Sequence, residues 1–588
     1  MKRDNGFLGA LYLGDRRCRF RVWAALAESL EVELDGRLRV PLKRGEEGYF
    51  EGIVEGAGPG TRYAYRLDGR DPRPDPASRF QPEGVHGPSM VVDPSFDWSG
   101  EGEWRGHYLS DCILYELHVG TFTPEGTFDA VIPHLDRLRD LGVNAIEIMP
   151  VAQFPGSRNW GYDGVLPFAV QNSYGGPEGL NRLVSACHAR GIGVVLDVVY
   201  NHLGPEGNYL GEFGPYFTDR YKTPWGLALN FDGPDSDPVR RYFIENALHW
   251  IAEHHVDALR LDAVHAIADA SERPFLQELG TALHELGSRL GRHVYAIAES
   301  DLNTLQFLRP AEQGGCGLDG QWTDDFHHSL HTLLTGERTG YYQDFGTLDQ
   351  MAKTMRGGFV YTGQRSPHRR RRHGVPADSI EAARHVICIQ NHDQTGNRML
   401  GERLASLVSF ESLKLAAAAV LLSPFLPLLF MGEEWGETAP FLYFVSHSDE
   451  DLVRAVREGR SEEFAAFSWQ GEAPDPQAEE TFERSRIDPS LREREPNALL
   501  YAFYKELIRL RKTHPVLAHL SKRDLEVKVE GETIVMRRWN GDREVLILFN
   551  FGEEELSAPS GWEKLLDSTE ERWGGRGSGG RSVKVLER

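Results

Sequence analysis

Four carboxylates stand at the ends of strand-like apolar runs: Asp197 in Val194-Val-Leu-Asp-Val-Val-Tyr-Asn-His202, Asp262 in Ala258-Leu-Arg-Leu-Asp-Ala-Val-His265, Glu299 in Val294-Tyr-Ala-Ile-Ala-Glu-Ser300, and Asp393 in His385-Val-Ile-Cys-Ile-Gln-Asn-His-Asp393. Removing such a group from water without a partner or a task costs several kcal/mol. In the Asp262 run, strand alternation puts Arg260, Asp262 and Val264 on one side and Leu259, Leu261 and Ala263 on the other. Taken alone, Arg260 and Asp262 read equally well as a structural ion pair in an interior. Four acids at four strand ends shift that balance, because in a barrel of parallel strands the C-terminal ends converge on one rim, where catalysis resides.

Two carboxyl groups on neighbouring strand ends, about 5 to 5.5 Å apart, support the double displacement of a retaining glycosidase. Asp262 is then the nucleophile, with Arg260 holding its pKa low. Glu299, among apolar residues and close to other acids, is the carboxyl whose pKa rises and which gives its proton to the leaving oxygen. Asp393, beside His392, suits hydrogen bonds to ring hydroxyls and favours a distorted, positively charged sugar.

The elements that must position these groups alternate. From residue 106 onward a strand run is followed by a helical period, repeatedly. The strand runs are 113–119, 145–149, the runs ending near Asp197, Asp262 and Glu299, then 320–326, the run ending at Asp393, and 427–431. Helical periods cover 127–141, 179–190, 238–255, 273–291 and 497–513. Eight such units predict a (β/α)8 barrel over 106–515, with insertions at 203–237 and 338–380. The first insertion is dense in Gly, Pro and aromatics and is expected over the active rim; within the second, residues 357–378 carry Arg369-Arg-Arg-Arg372, read as polar and mobile, and should meet local carboxylates. A doubly wound open sheet is disfavoured, since no Gly-rich phosphate turn follows the first strand.

Short alternating runs before residue 105 predict an N-terminal β-sandwich, in which Trp23, Tyr63 and Tyr65 are more readily core than sugar platforms. Alternating runs over 519–588 predict a C-terminal antiparallel β domain, also of sandwich type, with a flexible glycine-rich tip at 574–580.

Composition narrows the partners. The 588 residues exceed one ordinary core and suit about three domains. With 88 acidic against 65 basic residues the net charge is -23, which repels nucleic acid and anionic membranes and admits a neutral substrate. Five cysteines, odd in number and without metal-type spacing, read as free thiols in a reducing compartment. The N-terminus lacks the apolar core of a secretory signal, and the longest apolar stretch, 415–430, is interrupted by Ser423, Pro424 and Pro427. A cytoplasmic setting is expected.

Four blocks, Asp197-Val-Val-Tyr-Asn-His202, Leu259-Arg-Leu-Asp-Ala-Val-His265, Ala298-Glu-Ser300 and Asn391-His-Asp393, resemble in order and interval those of the alpha-amylase family of glycoside hydrolases. The resemblance covers the whole barrel. It implies Asp262 as nucleophile, Glu299 as acid/base and Asp393 as the transition-state carboxylate. It further implies that Tyr162, in Trp160-Gly-Tyr-Asp163, stacks under the sugar at the cleavage point, and that His202, Arg260, His265 and His392 contact that sugar or its neighbours. Narrower stretches are similar to one branch of the family: Met149-Pro-Val-Ala-Gln-Phe-Pro-Gly156, Asn201-His-Leu-Gly-Pro-Glu-Gly-Asn208, Trp322-Thr-Asp-Asp-Phe-His-His328, Asn391-His-Asp-Gln-Thr-Gly-Asn397 and Met431-Gly-Glu-Glu-Trp-Gly-Glu-Thr-Ala-Pro440. That branch implies hydrolysis of the alpha-1,4 bond next to the terminal trehalose of maltooligosyltrehalose, with a maltooligosyltrehalose synthase as the coupled enzyme. Asp325, His328, Gln394 and Asn397 are then candidates for holding the trehalose end, against a reading as loop and helix caps.

Within the family Asn201 often belongs to a calcium site. Here the loop after it has no run of acidic ligands, so no metal and no cofactor are expected, and Asn201 reads as a hydrogen-bonding anchor. Two rival functions stand beside the hydrolase: an alpha-1,4-glucan branching enzyme, and a non-catalytic glucan-binding protein. The last requires a broken catalytic acid, and all three are present.

Overall fold

Eight short apolar runs close into a parallel barrel: β1 Leu114–Leu117, β2 Ala145–Ile148, β3 Gly193–Val198, β4 Ala258–Leu261, β5 Tyr295–Ala298, β6 Gly320–Trp322, β7 His385–Ile387 and β8 Leu426–Phe430, each bonded to its sequence neighbours and β8 to β1. The structure, a computed structural model, describes residues 7–465, 473–575, 577 and 580–588. All eight strand runs expected from the sequence are barrel strands. The strands are buried on both faces, which explains their near-continuous Val, Ile and Leu content.

Three helical expectations hold with shifted ends: α1 Gly176–His188, α2 Ser236–Glu253 and α3 Phe275–Leu290. The helix expected over 127–141 is broken into Phe128–Val131, a 3-10 turn Ile132–His134 and a helix Leu135–Leu141. Pro133 is the physical reason, since it has no N–H to give. The sixth strand ends four residues earlier than its expected limit, because the chain turns at Thr323 into α4, Asp324–Thr335. This early turn decides which acid of the Asp324-Asp325 pair faces the cleft.

Before the barrel, two four-stranded antiparallel sheets form a sandwich. Asp15 and Arg16, with φ of 50° and 53°, make a tight left-handed turn between Gly9–Gly14 and Arg17–Trp23, the twist that hairpins favour. Trp23, Tyr63 and Tyr65 are all buried, so they are core. After the barrel and its last helix α5, Asn497–Thr513, comes one five-stranded antiparallel sheet. It differs from the two-layer sandwich expected there. Its partner layer is helical: the sheet packs on the helices Leu348–Gly357 and Phe410–Leu422, and buried Arg538 donates to the Leu422 carbonyl at 2.7 Å. The apolar alternation of a strand specifies that one face must be covered, not by what. Part of the glycine-rich tip, residues 576, 578 and 579, lies outside the described residues.

Both insertions carry structure. The first holds a short helix, Leu210–Phe213, and a hairpin of Phe217–Thr223 with Gly226–Leu229. Its turn residue Trp225 lies flat on His202, ring centroids 4.4 Å apart, which puts this insertion at the rim as expected. The second, expected to be mobile, forms a hairpin of Thr362–Ser366 with Arg371–Gly374. The expected meeting of its basic run with carboxylates occurs at Arg369 and Asp301, 2.8 Å apart. Among the described residues no helix is long and apolar enough to cross a membrane.

Candidate active site

Arg260 organises the rim. Strands β3 and β4 pair Asp197 with Arg260, and the fully buried guanidinium reaches both acids of its neighbourhood from one nitrogen. Its Nη1 donates to Asp197 Oδ1 and Oδ2 at 2.9 and 2.8 Å and to Asp262 Oδ1 at 2.8 Å. Its Nη2 faces Glu299 Oε2 at 3.8 Å. The plane of the group lies over Trp322, 4.4 Å from the ring centroid. A guanidinium is the right centre here because it stays charged when dry and presents several donors in a fixed fork.

Asp262 and Glu299 follow β4 and β5 directly, so both project from the same end of the barrel onto one cation. Asn201 secures Asp262 from the other side, its Nδ2 donating to the Asp262 carbonyl at 2.8 Å and to Oδ2 at 2.7 Å. This is the hydrogen-bonding anchor read from the sequence. Glu299 Oε2 accepts the Ala263 backbone N–H at 2.6 Å. Burial pushes the Glu299 carboxyl well above the usual carboxylate range; Arg260 works against this, while Asp262, Asp324 and Asp393 add to it. One carboxylate held by two donors and one carboxyl kept protonated, both on a single cation, is the pairing that double displacement needs.

Asp393 and His392 open a short helix, His392–Gly396, after β7, with the Asp393 side chain 40% exposed to the cleft. His392 is buried and hydrogen-bonds through Nδ1 to Glu116, which also accepts the His392 backbone N–H at 3.0 Å. On its other side Nε2 meets Tyr162 Oη at 2.7 Å, and the two rings stack. Tyr162 donates to Asp197 at 2.6 Å. Burial works against a charged His392, yet Asp393 and Glu116 lift its pKa to about 9. His202 bonds Asn201 and the Tyr162 carbonyl. Tyr162, His202, Arg260 and His392 therefore form one bonded group beside Asp262.

The remaining candidates scatter. His265 is exposed at the rim on the turn after Asp262. Gln394 faces the same region with a side-chain oxygen that has no partner, and Asn397 donates to Asp393 at 3.3 Å. His328 stacks on Tyr341 and edges onto Tyr342 and Phe345; burial drives its pKa down to about 3, so it is neutral. Asp325 is turned inward, where it accepts from Asn303 Nδ2, Val360 N and Tyr361 N at 2.7, 2.6 and 3.1 Å. That arrangement is the loop-anchoring alternative weighed for it. The acid facing the cleft from this pair is Asp324, whose carboxyl is raised to about 7 by burial and by Asp301 and Asp393. A helix rotates about 100° per residue, so sequence adjacency alone does not select between them.

The chain compares clearly with known proteins. Residues 91–223 match the alpha-amylase catalytic domain, 7–94 match carbohydrate-binding module 48 (isoamylase N-terminal domain), and 522–585 match a domain of unknown function. It is 48% identical to malto-oligosyltrehalose trehalohydrolase of Saccharolobus solfataricus over 84% of this chain and 85% of that one, and 44% identical to the same-named protein of Rhizobium sp. over 94% of both. The chain belongs to the malto-oligosyltrehalose trehalohydrolase family. A solved structure from Salmonella typhimurium, provisionally described as an alpha amylase, superposes with a TM-score of 0.91 at 38% identity over 99% of each chain. A 1,4-alpha-glucan branching enzyme of Streptomyces coelicolor is more distant, 28% identical over 53% of this chain.

In this trehalohydrolase-family chain three acids escaped the sequence reading: the buried Glu116 and Glu147, and Asp324 at the cleft. Glu116 and Glu147 lie side by side on β1 and β2. Burial, and after it the neighbouring Glu116, push the Glu147 carboxyl well above the usual carboxylate range, and both its oxygens lack a protein partner. Acids inside strands rather than at their ends gave no signal, since interior strand positions read as apolar. Glu116→Gln is expected to drop the His392 pKa from about 9 toward or below the ordinary value, measurable by NMR titration. The wild-type shift is upward, so His392 stabilises the fold fully below the unfolded pKa of about 6.5, and that contribution fades as pH rises through about 9.

Proposed function

We propose that this protein is a retaining glycoside hydrolase that cleaves the alpha-1,4 bond next to the terminal trehalose of maltooligosyltrehalose and releases trehalose. The observation that carries the reaction type is the common guanidinium: Asp262 and Glu299 meet Arg260 from adjacent strand ends. Asp262 attacks the anomeric carbon as Glu299 passes its proton to the leaving O4, forming a glycosyl ester and free trehalose. Water then gives its proton to Glu299 and its oxygen to the anomeric carbon, and Asp262 leaves as carboxylate. Asp393 and charged His392 bind the ring hydroxyls of the distorted sugar over Tyr162, with His202 closing its side. Gln394 and Asn397 stand beside Asp393 and contribute to sugar binding, and His265 and Asp324 face the departing group.

The substrate rests on the family. Its members' shared name supports trehalose as the product and a maltooligosyltrehalose synthase as the supplier of substrate. Five buried free cysteines support a reducing, cytoplasmic setting. Incubation with maltooligosyltrehalose should liberate free trehalose, detectable by chromatography. Alpha-1,6 branches on amylose without trehalose would instead assign the branching reaction.

A further inference from the structure

The barrel interior beneath the catalytic rim holds an acid, Glu147, with no part in the reaction as assigned above. Inward side chains of such barrels are mostly branched and apolar. One layer below the rim that holds: Leu114, Ala145, Val195, Ala258 and Ile297 pack together. Two residues further along the same strands stand Glu116, Glu147, Asp197, Arg260 and Glu299, all titratable, with Trp322 of β6 against the guanidinium, 4.4 Å from its ring centroid. Glu116 accepts from His392, and Asp197 accepts from Arg260 and Tyr162. Glu147 is the exception. It is 1% exposed, and neither of its oxygens has a protein atom at hydrogen-bonding distance. Arg260 Nε and Trp322 Nε1 are buried in the same condition.

Strand register brings these atoms together. Glu147 pairs with Val195, Val195 lies two residues before Asp197 on the same strand face, and Asp197 pairs with Arg260. After burial, the charges that act on the Glu147 carboxyl are those of Glu116, Arg260, Asp197 and His392. Two donors and two acceptors thus share one dry layer over an apolar floor. Buried polar atoms of folded proteins nearly all have a partner. Where protein supplies none, ordered water does, making about three hydrogen bonds to such groups. A protonated carboxyl suits that task, and burial favours that form here: it accepts from water and donates to it without placing a charge under Asp197 and Asp262. The bonds of Arg260 to both aspartates all run through Nη1. A partner at Nε stops the guanidinium plane from turning about that one nitrogen, which would swing Nη2 away from Glu299, 3.8 Å off.

Resting on the hydrolase assignment, we propose that Glu147 is a positioning residue: through ordered water shared with Arg260 Nε and Trp322 Nε1 it fixes the guanidinium from below, and with it the placing of Asp262 and Glu299. A misplacement of about 1 Å costs about 10²-fold in rate. Glu147→Leu, similar in volume and apolar, is expected to lower kcat on maltooligosyltrehalose by about 10- to 100-fold with KM little changed, read well below its Tm. Glu147→Gln keeps a neutral donor and acceptor and is expected to restore most of the wild-type kcat. Wild-type kcat in Glu147→Leu, or a Glu147→Gln variant as slow as Glu147→Leu, would overturn the proposal. Should Glu147→Leu not fold, a high-resolution crystal structure of the wild-type protein decides alone. Water bonded to both Glu147 and Arg260 Nε is expected, and a layer without it would overturn the assignment of Glu147. Failure of the wild-type protein to release trehalose would instead sink the hydrolase assignment, and the water site is read without turnover, so the two failures are distinguishable.

Discussion

Asp262→Asn should lower kcat by roughly 10⁴- to 10⁶-fold, the range seen when a covalent nucleophile is removed, while maltooligosaccharide still binds. The amide oxygen cannot attack the anomeric carbon as a carboxylate does, yet the side chain keeps its size. Arg260 retains both oxygens of Asp197, so the buried guanidinium is not left without a counter-charge. Asn201 still finds the carbonyl of residue 262. The fold is therefore expected to survive and the chemistry to stop. Steady-state kinetics alongside calorimetric titration with a maltooligosaccharide separates the two; turnover within tenfold of wild type would show that the attacking group lies elsewhere.

Glu299→Gln should reduce kcat by about 10²- to 10⁴-fold and remove the alkaline limb of the pH profile. Glu299 acts as an acid, and its pKa lies well above the usual range chiefly through burial. Wild-type activity should thus fall only as pH rises through that raised value, whereas glutamine has no proton to lose. An activated substrate, such as a glycosyl fluoride, needs little protonation of its leaving group and should recover much of the rate of the first step, seen as a burst of fluoride, while the water step, which also uses Glu299, stays slow. The same shift has a stability consequence of definite sign. A folded-state pKa raised above the unfolded value of about 4.3 means that the carboxyl's favourable contribution is complete at low pH and is lost as pH rises through the folded value. Glu299→Gln should therefore lose less Tm than wild type on moving from acid to alkaline buffer. Equal losses, together with an intact alkaline limb, would remove Glu299 from the role of proton donor.

The legible part of this site was the part carried by strand ends. Asp197, Asp262, Glu299 and Asp393 each follow an apolar run of strand length, and Asn201 and His202 sit just beyond one. Parallel strands in a closed barrel bring such positions to one rim whatever lies between them in sequence, so that convergence was readable without coordinates, whereas the sharing of Arg260 by Asp197, Asp262 and Glu299 was not. The positions that depended on how a loop or helix turns were not. Asp324 and Asp325 are adjacent and chemically alike, and the early end of β6 rotated the first into the cleft and the second onto Val360 and Tyr361. His328, chosen for the trehalose end, lies one helical turn after Asp324, stacked among Tyr341, Tyr342 and Phe345. The second insertion looked mobile because it is polar and basic, and it is ordered by Asp301, which lies outside it, and by Asp344 near its own start.

What the sequence by itself determined is the barrel, the rim acids and the reaction class, because strand period, strand length and carboxylate position are local properties. Tertiary structure alone decided the raised pKa of His392, the choice of Asp324 over Asp325, and the pairing of Asp301 with Arg369. Each of these depends on how much water is excluded and on which distant charge arrives at hydrogen-bonding range, and neither quantity is set by neighbours along the chain.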